Sequence, residues 1–270
     1  MVVLEMEAAV DGRQFDRMGG FWIDNCKLLH LTTAEPLNPG RVAWSVERDV
    51  TPFARMLVGR SMPFDAILDI PNIVQGPYTG VINVTVRALI YYDPQRSMQL
   101  APLPLVFPLR APFRDPRSPL KGAIVSGTER LKLPPFRCEA CGSSSVQLEL
   151  ALYSTGHGGA EEFYYLEAPG GSPFRELIVY LDGEPVAATV PFPVVYTGGI
   201  NPLLWRPLSA ILALNVPPYS LDLTPLAPLL GDGAEHYFEI GVLNNSKTGQ
   251  WNIDPILLVS RMDVAQLCEH

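Results

Sequence analysis

The sequence predicts an all-β protein built from two antiparallel β-sandwiches in tandem. Most patterned segments are short, alternate apolar with polar residues, and end at glycine, proline, asparagine or aspartate. The 27 prolines and 22 glycines are spread along the chain, so helices and strands must be short. Segments of the first half recur in the second half, which indicates two related units.

The strands follow from the alternation of apolar and polar side chains. Residues 1–8 alternate apolar with acidic side chains, which predicts a first strand. The clearest pattern spans 78–92, where apolar positions alternate with Asn83, Thr85 and Arg87. Further strands are predicted at 20–30, 41–48, 64–70, 145–154, 162–166, 177–182, 185–195, 208–214, 236–243 and 252–260.

Two pairs of echoing segments support the tandem arrangement. Thr51-Pro52 and Thr224-Pro225 each predict one brief helical turn, with threonine as the N-cap and proline at the first helical position. A weaker echo links residues 12–17 (Gly-Arg-Gln-Phe-Asp-Arg) with 171–176 (Gly-Ser-Pro-Phe-Arg-Glu). Each unit therefore brings a charged corner to a cleft that the two units could share.

A proline-rich stretch at 93–137 predicts the linker between the units together with one edge strand. We place the boundary near residue 115, with a first unit at 1–115 and a second at 116–270. The second unit contains additional loop length that includes residues 196–207. Loops added to a sandwich often carry function.

Composition excludes several classes of protein. The net charge of −8 argues against a nucleic-acid partner and fits an uncharged substrate or an acidic compartment. No apolar run reaches the roughly 20 residues of a membrane span. The first residues do not form a signal peptide, so either the protein is not exported by that route or the sequence begins inside a longer protein.

Neither a metal nor a cofactor site is predicted. The four histidines have no ligand spacing, and the Cys138–Cys141 pair has no second pair to complete a zinc site. A local disulfide and two reduced thiols are equally compatible with that pair. Carboxylates are therefore the predicted catalytic groups.

Asp16 beside Arg17 is the leading catalytic candidate. A neighbouring arginine lowers the pKa of a carboxyl group and burial raises it, and the balance can produce a base or nucleophile. The alternative is a plain salt bridge at the start of a strand. In a second candidate, Glu161 and Glu162 push one pKa up and so keep a proton donor near neutrality. Its alternative places Glu162 on a solvated face.

Two further features suit sugar binding. Trp205 and Arg206 lie in the added loop, and an aromatic ring stacks on the apolar face of a pyranose. The alternative is a tryptophan that plugs the rim of the sandwich. His157 follows a Thr-Gly pair and can bind a sugar hydroxyl, although it also fits an exposed loop histidine.

Seven further segments stand out together: 12–17, 33–36 (Thr-Ala-Glu-Pro), 78–80, 162–165 (Glu-Phe-Tyr-Tyr), 173–176, 181–183 and 197–207 (Thr-Gly-Gly-Ile-Asn-Pro-Leu-Leu-Trp-Arg-Pro). Together they resemble the peptide N-glycanase A family, the acid-active peptide-N4-(N-acetyl-β-glucosaminyl)asparagine amidases. The resemblance covers nearly the whole chain, and a more distant likeness is to peptide N-glycanase F.

The resemblance implies two jelly rolls in tandem, with the active site at their interface and the first jelly roll lacking its N-terminal strand. It implies that Asp16 is the primary catalytic carboxylate. A glutamate of the second unit would assist it, with Glu162 the first choice and Glu176 the second. The residues implied to contact substrate are Arg17, Asp69 (as a helper acid), His157, Arg175, Trp205 and Arg206.

The implied reaction is hydrolysis of the bond between an asparagine side chain and the first N-acetylglucosamine of an N-glycan. Arg17 would steady the developing oxyanion. The expected partners are N-glycosylated peptides or proteins, without nucleic acid, membrane, metal or cofactor. We expect a monomer that is secreted or acts in an acidic compartment. Two alternatives remain: a catalytically inactive, carbohydrate-binding pair of sandwiches, and a purely structural fragment.

Overall fold

The computed structural model describes residues 1–36, 40–58, 63–92, 103–109, 128–133, 145–166, 172–199, 212–246 and 248–262. The described chain is all-β, as predicted. Its strands are β1 (Val2–Asp11), β2 (Met18–Ile23), β3 (Cys26–Thr32), β4 (Arg41–Asp49), β5 (Ala66–Asp69), β6 (Val81–Ile90), β7 (Leu105–Pro108), β8 (Thr128–Lys132), β9 (Ser145–His157), β10 (Glu176–Leu181), β11 (Glu184–Thr189), β12 (Tyr219–Asp222), β13 (Glu235–Leu243) and β14 (Gln250–Met262).

Short helical segments complete the described secondary structure. They span Thr51–Met56, Gly159–Glu161, Thr197–Gly199, Thr224–Leu226 and Ala227–Leu230. Within the described ranges, no helix is both long enough and apolar enough to cross a membrane.

The strands form four antiparallel sheets, with the orders β4-β1-β6, β3-β2-β5, β12-β9-β14-β7 and β11-β10-β13-β8. One hydrophobic core lies between the first two sheets and a second core lies between the last two. Along β9, Tyr153 joins the first core and Leu152 joins the second. Every residue of β3 is buried, as are Trp251–Val259 of β14. Strand β3 and most of β14 are therefore covered on both faces.

The structure corrects the predicted strands in two places. The segment 20–30 is a hairpin, because Asp24 and Asn25 adopt φ of 44° and 67° and reverse the chain between β2 and β3. Paired residues with positive φ make the tight turn that joins antiparallel strands. The segment 162–166 forms turns after the helical segment Gly159–Glu161. Strand β12 was not predicted.

The remaining predicted strands differ less from the structure. The segment 185–195 keeps its strand only to Thr189, and the segment 208–214 lies mostly outside the described residues. The proline-rich stretch, predicted to hold one edge strand, contains two. Strand β7 pairs with β14 of the second half although it precedes residue 115, and β8 pairs with β13. Residue 115 itself lies outside the described residues.

Both predicted helical turns are present, but the predicted N-cap is wrong. Asp49 Oδ1 accepts the backbone N–H of Thr51 at 2.8 Å, and Asp222 Oδ1 accepts that of Thr224 at 2.9 Å. The threonine hydroxyls do not cap the turns: Thr51 Oγ1 accepts from Val2 N and donates to Asp49 Oδ1, and Thr224 Oγ1 accepts from Leu148 N. The N-cap residues are Val50 and Leu223. The aspartate two residues earlier in each repeat therefore provides the turn's local hydrogen bond.

A buried ionic network connects the two middle sheets. Lys27 Nζ of β3 lies 2.6 Å from Asp254 Oδ2 of β14, and both side chains are almost fully excluded from solvent. Trp22 Nε1 donates to the other oxygen of Asp254 at 3.2 Å. His30 contacts Lys27 Nζ at 2.8 Å through Nδ1 and Thr155 Oγ1 at 2.8 Å through Nε2. Charges buried in this way are tolerated only when they are paired and hydrogen-bonded.

We expect Lys27→Met to lower the free energy of unfolding by about 3–5 kcal/mol, because it leaves the Asp254 carboxylate buried without its counter-charge. Denaturant titration followed by tryptophan fluorescence measures the change. Arg87→Met is the matched control, since Arg87 pairs with Glu5 and Glu7 on an exposed face. Equal effects of the two substitutions would contradict the expected contribution of the Lys27–Asp254 ion pair to the free energy of unfolding.

Candidate active site

A cleft of about 970 Å³ opens where the two middle sheets meet. Residues before β2, after β3 and at the end of β5 line one side, and residues after β9 line the other. Its carboxylates come from both halves of the chain. The lining consists of Phe15, Asp16, Arg17, Met18, Glu35, Asp69, Pro71, Ile73, His157, Glu162, Phe163, Gly198 and Gln250.

The corner that carries Asp16 is held by a buried glutamine. Gln14 Nε2 donates to the carbonyl oxygens of Ile73 at 2.9 Å and Gly80 at 3.0 Å. Gln14 Oε1 accepts from Arg17 Nη2 at 2.8 Å. A polar side chain with this many partners fixes the backbone around it. The carboxylate of Asp16 is therefore presented to the cleft from a rigid turn.

Asp16 has the electrostatics of an active-site carboxylate. Its Oδ2 accepts the backbone N–H of Gly198 at 2.7 Å. Burial raises the pKa of Asp16, and the charge of Glu162 adds to the rise, against the lowering effects of the Gly198 hydrogen bond and of His157. Titratable groups perturbed in this way inside a cleft are candidates for catalysis.

Arg17 does not pair with Asp16. Its guanidinium bonds Gln14 and lies 5.6 Å from the ring centre of Phe15 and 5.5 Å from that of Tyr78. Contrary to the prediction, Arg17 is not among the groups that shift the pKa of Asp16. Arg17 still lines the cleft, so it can meet a ligand there.

The structure separates the two glutamates predicted to act as a pair. Glu161 is 1% exposed and accepts from Arg175 Nε and Nη2 at 2.9 Å each. It also accepts from Trp251 Nε1 at 2.5 Å and from Ser246 N at 2.6 Å. Burial alone would raise the pKa of Glu161, but these hydrogen bonds lower it overall. The predicted proton donor with a raised pKa is therefore not Glu161.

Arg175 is placed by the same ion pair. Its side chain is 3% exposed and also donates to the carbonyl oxygens of Ser172 at 2.6 Å and Phe174 at 3.0 Å. The guanidinium lies 5.3 Å from the ring centre of Tyr164. Arg175 therefore holds the loop behind Glu162, and it is not among the described residues that line the cleft.

Glu162 faces the cleft opposite Asp16. Its Oε2 accepts the N–H of Gly158 at 3.2 Å and lies 3.9 Å from His157 Nδ1. His157 ends strand β9, and its ring packs edge-on against Tyr196 at 5.8 Å. The sheet, rather than a loose turn, thus positions His157 beside Glu162.

Of the other predicted site residues, only some are described, and not all of those line the cleft. Asp69 ends β5 and lines the cleft, which groups it with Asp16 and Glu162. Glu176 begins β10 and is not part of the described lining. Trp205, Arg206, Cys138 and Cys141 lie outside the described residues.

Glu35 was missed as a functional residue by sequence reasoning. It follows β3 by three positions and lines the cleft beside Asp16. Burial, and next the charge of Asp16, raise the pKa of Glu35, while a backbone hydrogen bond from Asp16 and the charges of Arg13 and Arg17 lower it. A signal was present: an acid directly after a fully buried strand, in the Thr-Ala-Glu-Pro segment at 33–36.

The described residues do not assemble a metal centre. Within the ranges that the structure describes, no group of three or more His, Cys, Asp and Glu side chains is arranged to hold a metal ion. The cleft instead offers four carboxylates and one imidazole, a set suited to moving protons.

Comparisons with known proteins agree on one family. The model of the family described as peptide N-acetyl-β-D-glucosaminyl asparaginase amidase A matches residues 1–255. A protein of Prunus dulcis named peptide-N4-(N-acetyl-β-glucosaminyl)asparagine amidase A is 32% identical over 275 aligned positions, which cover 94% of this chain and 47% of that protein. The chain thus spans about half the length of this curated relative.

Two solved structures share the fold. One is PNGF-II, with a TM-score of 0.54, 13% identity, and coverage of 97% of this chain and 58% of that one. The other is a peptide-N(4)-(N-acetyl-β-D-glucosaminyl)asparagine amidase, with a TM-score of 0.52, 13% identity, and coverage of 96% and 84% respectively. At this level of identity the likeness concerns the fold alone.

We expect Asp16→Asn to stabilise the protein at neutral pH. A carboxyl group whose pKa is raised in the folded state binds its proton more tightly there than in the unfolded chain. Stability is therefore lost as pH rises from the ordinary Asp value of 3.8 through the raised one. The difference in Tm between variant and wild type should be positive at pH 7 and shrink towards zero below pH 3.8.

Asp222→Asn is the control of opposite sign. Hydrogen bonds from the hydroxyl and backbone of Thr224 lower the pKa of Asp222, so its ionisation favours the folded state. Scanning calorimetry across this pH range should give a negative difference in Tm at pH 7. If Asp16→Asn destabilised the protein at pH 7, the conclusion that burial disfavours ionisation of Asp16 would be contradicted.

Proposed function

The chain belongs to the peptide N-glycanase A family, and on this premise we propose that it hydrolyses the β-aspartylglucosamine bond of N-glycosylated peptides and proteins. The products are an intact glycan, released as its glycosylamine, and an aspartate in place of the asparagine. One observation carries the proposal: Asp16 from the first half and Glu162 from the second line the same cleft.

The geometry supports a hydrolytic mechanism with Asp16 as the general base. An amide is a poor electrophile, so water must be deprotonated as it attacks the carbonyl carbon. The rigid corner at Gln14 holds Asp16, and Gly198 N–H fixes one of its oxygens. Glu162 accepts one hydrogen bond from Gly158 and can orient the attacking water with its remaining acceptor sites.

The positive charge near the reacting carbonyl comes from Arg17. Its guanidinium is fixed by Gln14 and by the rings of Phe15 and Tyr78, so it does not reorganise during the reaction. Fixed donors of this kind stabilise a developing oxyanion. Phe15 is 43% exposed at the cleft and presents an aromatic surface to the sugar or the peptide.

We propose two tandem jelly-roll-like units as the scaffold. The pairing of strands supports two pairs of sheets, with β1–β6 in the first pair and β7–β14 in the second. Because β7 pairs with β14, the division is better placed before Leu105 than near residue 115. A setting in the secretory pathway or an acidic compartment is also a proposal, supported by where N-glycosylated substrates are made and degraded.

Hydrolysis is tested with a denatured N-glycosylated protein in ¹⁸O-labelled water. We expect release of the glycan and one heavy oxygen in the new aspartate, measured by mass spectrometry of the peptide. Asp16→Asn should reduce kcat by about 10²–10⁴-fold, the usual contribution of a general base. Glu239→Gln, an exposed carboxylate on β13, should leave kcat unchanged.

Other results would overturn the proposal. Binding of the glycoprotein without a labelled aspartate would favour a catalytically inactive carbohydrate-binding protein. Full activity of Asp16→Asn would remove Asp16 from the mechanism and leave the cleft without its assigned base.

A further inference from the structure

We propose that Glu35 is a catalytic carboxylate that shares one proton with Asp16 and donates it to the leaving nitrogen. The inference rests on the proposed hydrolysis and deepens it, because it assigns the second proton transfer of that reaction. It concerns a residue to which neither the sequence pattern nor the family comparison gives a role.

The carboxyl groups of Asp16 and Glu35 both lie beside Gly198. A Cβ built on Gly198 would lie 3.2 Å from Asp16 Oδ2 and would overlap Glu35 Oε2. The two acids therefore flank a single backbone position, and only a residue without a side chain fits between them. Glycine is the residue that allows such close approach of backbone and functional groups.

The same short segment holds the carboxyl group of Asp16 and the backbone of Glu35. Gly198 N donates to Asp16 Oδ2 at 2.7 Å, and Glu35 N donates to Thr197 Oγ1 at 2.9 Å. Thr197 is fully buried, and its hydroxyl donates to the carbonyl oxygen of Thr33 at 3.1 Å. These hydrogen bonds limit the separation between the two residues, and a shared proton requires a short separation.

The negative charges of Asp16 and Glu35 repel each other. Two carboxylates crowded in a desolvated site cannot both ionise at the usual pH, so the pair titrates in two steps. Burial first, and the charge of Asp16 second, raise the pKa of Glu35. Arg13 and Arg17 face it and oppose this rise, while Glu162 and His157 act on Asp16 with opposite signs. Because the charge of Asp16 raises the pKa of Glu35, we assign the retained proton to Glu35 in the proposed mechanism.

The protons balance over one turnover. Asp16 takes a proton from water as its oxygen bonds to the amide carbon. The carbon–nitrogen bond then breaks, and Glu35 gives its proton to the nitrogen, which leaves as the amine of the glycosylamine. The peptide keeps the new carboxyl group. Transfer of the proton from Asp16 to the ionised Glu35 restores the pair, since both carboxyl groups approach the same position at Gly198.

The test uses the wild-type protein, Glu35→Gln and Glu35→Ala, with Glu239→Gln as the control. We expect Glu35→Gln to reduce kcat by about 10²–10⁴-fold and to abolish the alkaline limb of the kcat–pH profile, because an amide cannot donate the proton. Glu35→Ala opens space for a small acid, so formate should restore part of its activity. Formate should not restore Glu35→Gln, where the amide fills that space.

A merely structural Glu35 would give a different pattern. Both substitutions would then lower activity in proportion to stability, formate would have no effect, and the alkaline limb would stay. That result overturns the proposal, and so does full activity of Glu35→Gln. In either case the proposed hydrolysis stands as long as the wild type releases the glycan.

An inactive wild type would refute the proposed hydrolysis. A separate measurement would then still test whether Asp16 and Glu35 form a pair. Titration of the ¹³C-labelled carboxyl groups by NMR does not depend on turnover. If the two acids share a proton, Asp16→Asn lowers the apparent pKa of Glu35 because the repelling charge is gone. An unchanged titration of Glu35 in Asp16→Asn would refute the pair itself.

Discussion

The buried ion pair between Lys27 and Asp254 is the constraint on which the site depends. It joins β3 of the first half to β14 of the second across a region without solvent. Burial, and next the charge of Lys27, hold the pKa of His30 well below its usual value, so this histidine accepts from Lys27 as a neutral ring. A shift of the two sheets relative to each other would leave a charge buried alone, so the ion pair fixes how they pack.

This packing brings together the segments that carry Asp16 and Glu162. Asp16 comes directly before β2, which pairs with β3, and Glu162 follows β9, which pairs with β14. Contacts of the Met18 sulfur with Asn252 Nδ2 at 2.9 Å and Thr155 Oγ1 at 3.6 Å hold the start of β2 against the second half. The cleft is therefore the edge of a buried interface, and its geometry follows from the packing of the two middle sheets.

The strands were largely predictable because alternation of side chains directly records which face of a sheet is buried. In β1 and β13, buried residues alternate with half-buried or exposed ones, as expected. The hairpin at Asp24-Asn25 was harder, since β2 and β3 are buried on both faces and their combined pattern resembles one strand. The sequence also singled out Asp16, Asp69 and Glu162 as candidates, and all three line the cleft.

Sequence could not show which acids meet. Glu161 and Glu162 are adjacent along the chain, yet a buried arginine holds one and the cleft receives the other. Asp16 and Glu35 are apart in sequence and meet only because the β2–β3 hairpin returns the chain to the same edge. Long-range placement of this kind depends on strand pairing and burial, which no local pattern of residues encodes.

The pairing of Asp16 with Glu35 also depends on the other half of the chain. Gly198, which donates to Asp16 and separates the two carboxyl groups, follows β11 and belongs to the second half. Without that half, Asp16 would lose this hydrogen bond, and both acids would be exposed to water. Their pKa values would return towards those of ordinary carboxyl groups, because burial is the first cause of both shifts. Association of the two halves thus sets the pKa values of both acids as well as the shape of the cleft.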